Sequence, residues 1–415
     1  MLYIPLIILS YKIRGMPDSI LTHFEEIKSR GLSIDITRGK PDASQLDLAN
    51  ELLKMDVEPF DRDVDLRNYG EPFGIADARE LGSEILCAPQ ENIITGEQSS
   101  LLLSYQMLLA KFLFDNPMPW KDIDNPKFIC TVPGFDRHFT MFEDLGIDMI
   151  PVPLVEDGVD IKKLEEVLNS NINIMGIICV PRHSNPSGEV YSDQNMNRLF
   201  SIGRAYSDNF LFLLDHAYLV HDFLPTREQT PAWKLAEENE AEHQTVVVTS
   251  FSKVTFGGGG ISFLAASGSN LALIKRIRNS MVICPDKINQ KRHTQFFSSL
   301  SDIKKHMIKH ANLIKPKFEI VYKELQKLDN DIGNFSKPTG GYFITFISKK
   351  PIASRICELC MEAGVFLTPA GATFPYGKDP RNNTLRIAPT FIDEKELEVA
   401  MDVFITAVQI AHKEA

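Results

Sequence analysis

Cysteine is sparse, with six thiols in 415 residues, and none is arranged to carry a fold. Cys87, Cys130, Cys179 and Cys284 stand singly, and runs such as Gly176-Ile-Ile-Cys-Val180 use the thiol as a small hydrophobe. Cys357-Glu-Leu-Cys360 has the spacing of a redox or metal pair, but it lies in a helical stretch from Ala353 to Ala363 without a second pair. We therefore expect no disulfide framework, no metal site and a reducing, cytoplasmic setting. Basic charge is lacking too. The chain carries 44 Lys+Arg against 55 Asp+Glu, a formal net charge of −11. Such a chain repels phosphate-rich polymers and anionic surfaces, so neither nucleic acid nor a membrane is an expected partner.

Long apolar runs are absent as well. Met1-Leu-Tyr-Ile-Pro-Leu-Ile-Ile-Leu-Ser10 is apolar but far too short to span a bilayer, and it has neither a basic flank before it nor a small-residue cleavage motif. Residues 1–15 are read as an extension, with the working protein starting at Met16. No internal repeat or low-complexity tract interrupts the rest.

What is present is ordinary globular composition, 44% hydrophobic and 24% charged. A chain of this length exceeds one comfortable core, which favours a large domain beside a smaller one. Seven short β-rich runs begin near Asn92, Lys127, Asp148, Ile174, Phe210, Thr245 and Ile261, and amphipathic stretches such as Ile161 to Leu168 and Asn195 to Ser207 lie between them. Apolar strands alternating with helices imply an α/β fold with a mainly parallel, seven-stranded sheet flanked by helices. Residues 65–315 are assigned to this large domain. After Ser301 a long helix (Ile303 to Leu328) leads to strands near Gly341–Phe346, Gly364–Thr368 and Thr384–Ile387. Residues 16–64 and 316–415 are assigned to a smaller α+β domain, with the cleft at the junction.

Parallel sheets bind ligands at the carboxyl ends of their strands, and there the polar residues gather. Gly96-Glu-Gln-Ser99 closes a strand and opens a Leu- and Met-rich helix, a place suited to an anion; Ser99 serves equally as an ordinary N-cap. Phe135 follows Val132-Pro-Gly and suits either a planar ring or the core. The turn Val180-Pro-Arg-His-Ser-Asn-Pro-Ser-Gly188 presents Asn185. The apolar strand from Phe210 ends in Asp215-His-Ala-Tyr218, a costly place for a carboxylate unless a cation meets it. Thr245–Thr249 runs into Ser250-Phe-Ser-Lys253 and then Gly257-Gly-Gly-Gly260. A lysine there is placed to lose its proton and act as a nucleophile.

In this order the motifs resemble the class I/II, fold-type-I aminotransferases that use pyridoxal 5'-phosphate, from about Thr37 to Ala388. The resemblance implies that Lys253 holds the cofactor as a Schiff base and shuttles the proton between substrate Cα and cofactor C4′. It implies that Asp215 pairs with the pyridinium nitrogen, that Asn185 and Tyr218 bond the phenolic oxygen, and that Phe135 stacks on the ring. Gly96, Glu97, Gln98, Ser99 and Ser250 would hold the phosphate, joined by Tyr69 of a neighbouring subunit in a homodimer. Arg386 in Leu385-Arg-Ile387 would bind the substrate α-carboxylate, with Asn185, Gly39 and Arg38 beside it. The family's cation after the lysine is missing, since Phe256-Gly-Gly-Gly-Gly-Ile261 stands there. That departure, with Thr37-Arg-Gly-Lys-Pro41, Arg67-Asn-Tyr-Gly70 and Pro133-Gly-Phe-Asp-Arg-His138, is similar to the bacterial aspartate aminotransferases of subgroup Ic. The implied reaction moves an amino group from an L-amino acid, aspartate first, to 2-oxoglutarate by a ping-pong route. A distal carboxylate then needs a second cation, for which Arg38, Arg137 and Arg182 are candidates. The alternatives are alanine or aromatic donors, a lyase of the same cofactor, and a binding protein without catalysis. That group also resembles the aminotransferase half of MocR-type regulators, but we expect no winged-helix domain, because little chain precedes the matched region.

Overall fold

The computed structural model describes residues 18–415; the readings of residues 1–15 as an extension and of Met16 as a start lie outside them. The seven expected strands form one sheet with a two-residue eighth. They are β1 (Ile93–Gly96), β2 (Lys127–Val132), β3 (Asp148–Val155), β4 (Gly158–Val159), β5 (Ile174–Cys179), β6 (Leu211–Asp215), β7 (Thr245–Ser250) and β8 (Ser262–Ala265). Their spatial order is β1-β8-β7-β6-β5-β2-β3-β4. The pairings β7–β6, β6–β5, β5–β2 and β2–β3 are parallel. β8 runs antiparallel to β7 and β1, and β4 folds back antiparallel on β3. The eighth strand was not legible because a two-residue return has no periodicity of its own.

The apolar runs become strands because both faces are buried. Successive residues divide between two cores, Phe212 and Leu214 on one face and Leu211 and Leu213 on the other. β3 differs, with partly exposed positions and Pro151 and Pro153, and it carries the short β4 only at its far end. Proline lacks the ladder donor, so it belongs near such an edge.

A third core gathers Phe24, Ile27, Ile34 and Ile36 with residues from Ile314 to Ala411. Its antiparallel sheet comprises β9 (Gly333–Phe335), β10 (Ile344–Ser348) and β11 (Thr384–Ile387). The expected strand at Gly364–Thr368 shortens to Val365–Phe366, paired in parallel with Ile34–Asp35. The helix Leu300–Leu325 joins the two regions: Ile303 and Met307 pack under the large sheet, and Ile314, Phe318, Val321 and Leu325 pack into the third core. The segment around Asp61 lies against the large-sheet side, where Lys291 holds Asp61 at 2.9 Å and Asp77 at 2.7 Å. Val180, Tyr218 and Phe343 belong to the third core and also line the cleft, so the cleft wall is shared between the two regions.

Candidate active site

All parallel strands, and β1 through its antiparallel partner β8, end on the same edge of the sheet. Asp215 is the last residue of β6 and Ser250 the last of β7. Along that edge runs a cavity of about 330 Å³ lined by Arg38, Gly39, Gln98, Ser99, Phe135, Asn185, Asp215, Tyr218, Ser250, Lys253 and Arg386, together with Asp136 and Arg137. Twelve residues singled out by the sequence, Arg137 among them, therefore share one space.

Asp215 is buried, and three elements satisfy its carboxylate. The His138 ring donates from Nε2 to Oδ2 at 3.0 Å, Ser100 donates its hydroxyl to Oδ1 at 3.3 Å, and the Ala217 N–H donates to Oδ1 at 3.1 Å. Ser100 opens helix α1 (Ser100–Phe114), and His138 sits in the first turn of α2 (Asp136–Asp144). Ser99 occupies the N-cap position of α1, yet its side chain makes no capping bond, so the hydroxyl is left to the cavity. Phe135 is half-buried at the cavity wall, edge-on to His138 at 5.0 Å, and is not a core residue.

Lys253 follows β7 in a tight turn, its Nζ 5.0 Å from the centre of the Tyr218 ring. Burial pushes its ammonium below the usual lysine range; nearby Asp215 opposes that shift and Arg386 adds to it. The amine is thus neutral, and nucleophilic, more readily than in water. Tyr218 is buried, and burial holds its phenol in the protonated form.

Arg386, on β11, is buried with its guanidinium 4.8 Å above the Phe343 ring. Nε donates to Thr368 Oγ1 at 3.2 Å, Nη2 to the Thr37 carbonyl at 3.2 Å, and Nη1 to Asn185 Oδ1 at 3.2 Å and Asp136 Oδ1 at 3.5 Å. Asn185 therefore gives its oxygen to the arginine and retains its NH₂ as a donor. Gly39 is required by contact, because a Cβ there would come within 2.6 Å of Phe343.

Three expected residues lie elsewhere. The Glu97 carboxylate turns to Arg278, with two contacts of 3.1 Å, and Gly96 is packed against Leu103 and Ser262. Both line an adjoining cavity of about 340 Å³ with Gly258, Gly259, Gly260 and Arg292, whose buried Nε has no partner among the described residues. Gln98 borders both cavities. Tyr69 is 75% exposed on the surface. Of the three candidate distal cations, Arg182 is engaged outside the cleft. It donates to Asp222 at 3.1 and 2.6 Å and to Gln229 at 2.9 Å. Arg38 and Arg137 line the cleft, and neither guanidinium has a hydrogen-bond or ion-pair partner among the described residues. Cys357 and Cys360 sit in one helix without a partner thiol, and burial raises the Cys357 thiol to about 11, which leaves it a poor nucleophile.

Comparison with known proteins gives the family. A profile described as "Aspartate amino-transferase" matches residues 13–415. The chain belongs to the aspartate amino-transferase family. An aspartate aminotransferase of Corynebacterium glutamicum is 37% identical over 409 residues, covering 96% of this chain and 94% of that protein. A protein of Mycolicibacterium smegmatis is 37% identical over 424 residues, 98% of this chain and 99% of the relative. The crystal structure of an aspartate transaminase from C. glutamicum superposes with a TM-score of 0.91 at 35% identity, covering 96% of this chain and 95% of that one. The chain is an aminotransferase of the fold-type-I architecture.

His138, Ser100, Asp136 and Phe343 were missed as working residues. His138 stood inside a quoted motif, but only folding shows that it meets Asp215 from 77 positions away. Removing a partner of a buried carboxylate costs about 1–3 kcal/mol. His138→Ala should lower the unfolding free energy from urea titration by that amount, seen as a lower midpoint at unchanged slope, and His138→Gln, which can still donate, should recover part of it. An unchanged midpoint in the alanine variant would mean that Asp215 is satisfied without the ring.

Proposed function

We propose that this aminotransferase takes the amino group of aspartate and passes it to 2-oxoglutarate by a ping-pong route, as a cytoplasmic homodimer with pyridoxal 5'-phosphate at Lys253. The observation that carries the reading is the convergence of Lys253, Asp215 and Arg386 on one cavity. The residues fit the cofactor. Asp215 is a buried carboxylate bonded by a hydroxyl, an amide and an imidazole, which suits it to face a pyridinium. The amine of Lys253 and the flat face of Phe135 lie in the same cleft. Gln98, Ser99 and Ser250 present N–H and hydroxyl donors for the phosphate at the N-terminus of α1, with Gly96 and Glu97 at the strand end behind them. The missing cation after Lys253 leaves the Gly257–Gly260 backbone and Arg292 as the nearest substitutes.

Bound pyridoxal phosphate supplies an electron sink for the pair released at the substrate Cα. Lys253 would hold the cofactor and, as a free amine, would carry the proton to and from that carbon. Tyr218 and the Asn185 NH₂ would be the donors for the cofactor's phenolic oxygen. Arg386 orients the α-carboxylate with a planar fork that lysine does not offer. Arg38 and Arg137 supply positive charge for a distal carboxylate, which favours dicarboxylic substrates.

The dimer reading rests on the surface around Tyr69. Phe60, under Arg67 at 5.4 Å, is also exposed, and Lys287 ties the Asp65 and Tyr69 carbonyls to the helix Lys287–Phe296. Exposed aromatics on a braced loop suit a two-fold contact. Among the described residues no helix is long and apolar enough to cross a membrane, and the six cysteines are all free, as a reducing compartment keeps them.

Borohydride reduction of the holoenzyme followed by peptide mapping should label Lys253 alone, and Lys253→Ala should abolish transamination while cofactor still binds noncovalently. Label on another lysine refutes the assignment. Arg38→Gln and Arg137→Gln, scored with aspartate and alanine as paired donors, should lower the aspartate-to-alanine ratio of kcat/KM in at least one case by about tenfold or more, since a charge left unmatched in a half-enclosed cleft costs more than an exposed pair and up to the scale of a buried one. Arg182→Gln should leave that ratio alone. If neither cleft arginine moves the ratio, the dicarboxylate reading fails and the aminotransferase remains. Mixing inactive Tyr69→Ala and Lys253→Ala chains should restore activity, because each hybrid has one site with both residues intact; full activity in a dilute monomer contradicts the shared site.

A further inference from the structure

A guanidinium has five N–H donors, and in Arg386 four acceptors engage them: Thr368 Oγ1, the Thr37 carbonyl, Asn185 Oδ1 and Asp136 Oδ1. One N–H, on Nη2, remains. A bidentate carboxylate takes two parallel N–H groups, from Nη1 and Nη2 end-on or from Nε and Nη2 side-on, so one further N–H must be released, on Nη1 by Asn185 or Asp136 or on Nε by Thr368. The four acceptors differ in how easily they leave. Thr368 and Asn185 are buried, and the Thr37 carbonyl is backbone that also accepts from Thr368. Asp136 is the first residue of α2, its side chain is 39% exposed, and its contact is the longest of the four at 3.5 Å. Outside the pair its carboxylate still faces the N-terminal end of α2, which favours negative charge.

We propose that Asp136 is a displaceable counter-ion: it occupies part of the α-carboxylate position in the substrate-free site and is exchanged for each incoming amino or oxo acid. The arrangement keeps the buried Arg386 paired between turnovers and lets substrate trade one carboxylate for another. Every ligand meets the same opposition, whatever its side chain, so Asp136 sets the affinity of the site as a whole. It favours release of the oxo acid as much as it opposes entry of the amino acid. The donor preference stays with the distal cations, since a term common to all ligands cancels from their ratio.

The proposal rests on Arg386 being the α-carboxylate site, and the test separates the two. Propionate and succinate are titrated into the holoenzyme by calorimetry, one ligand with a single carboxylate and one with two. Asp136→Asn should bind both about three- to tenfold more tightly than wild type, and by the same factor, the range for losing a half-exposed charged competitor. Asp136→Ser, too short to reach Arg386, should do the same and serves if the amide variant folds poorly. Asp136→Glu, which retains the charge, should stay near wild type, as a merely structural role for the side chain would not require. In the enzyme, KM for aspartate and for alanine should fall together in the Asn variant. Unchanged or weaker binding in both neutral variants overturns the proposal. Arg386→Gln should lose both ligands. If it binds them as wild type does, the assignment of Arg386 itself is wrong, whatever Asp136 does.

Discussion

A carboxylate at the end of five buried apolar residues costs several kcal/mol unless other groups meet it, and Asp215 is in that position at the tip of β6. Its compensation comes from three directions: the hydroxyl that opens α1, the imidazole in the first turn of α2 and the amide two residues on. α1 follows β1 and α2 follows β2, and these strands lie on opposite sides of β6 in the sheet. Both helices must therefore start close to the same point on the sheet edge. The same starts deliver Ser99 and Gln98 from one side and Phe135 and Asp136 from the other. Satisfying one buried charge thus helps assemble much of the cleft.

The turn that carries Lys253 is held by side chains from later in the chain, in both regions. Tyr342 donates to the Lys253 carbonyl at 3.4 Å, and the His306 ring contacts the Val254 carbonyl at 2.9 Å. Thr255 meets His293 at 3.0 Å, and the Asn289 amide reaches the Gly259 and Gly260 carbonyls. His306 also contacts His310 at 3.1 Å, and His310 contacts Gln45, which bonds Tyr342 at 2.8 Å. Lys253 therefore sits on a backbone bonded by side chains from two helices and from the β10 approach. That suits a group whose reach, about one lysine side chain, must be reproducible.

The strands and the strand-end residues were legible because each is a local signal. An apolar run announces a buried strand, and the polar residues that end it or fill the turn after it are the candidates to line a cleft; Asp215 ends β6, and Asn185 and Lys253 lie in the turns after β5 and β7. The partners of these residues were not legible, because they are set by packing. Ser100 lies 115 positions from Asp215, and Asp136 lies 250 from Arg386. Arg182 shows the converse limit. It stands in a matched motif beside Asn185, yet it belongs to Asp222, 40 positions on and outside the cleft. The two ends of a strand-to-helix turn can face different cavities, and sequence spacing carries no information on which. The same holds for β4 and β9, whose two and three residues show no alternation to read.

An unpaired arginine on a protein surface means little, since water satisfies it at small cost. Arg38 and Arg137 gain meaning from where they stand. They approach the cavity from two regions, Arg38 from the segment that also gives its Thr37 carbonyl to Arg386, and Arg137 from the first turn of α2 beside Asp136. Burial is the main cause that disfavours the charge on Arg386; Asp136 offsets it, and Arg38 adds a smaller like-charge repulsion. Such crowding of cations in a half-enclosed cleft is unfavourable when the site is empty and is relieved when carboxylates enter. Asp136 supplies part of that relief in advance. On the proposed function, a second carboxylate would complete the neutralisation that Asp136 begins, and the electrostatic load of the empty site would be the physical basis for preferring a dicarboxylic acid to a smaller, singly charged one.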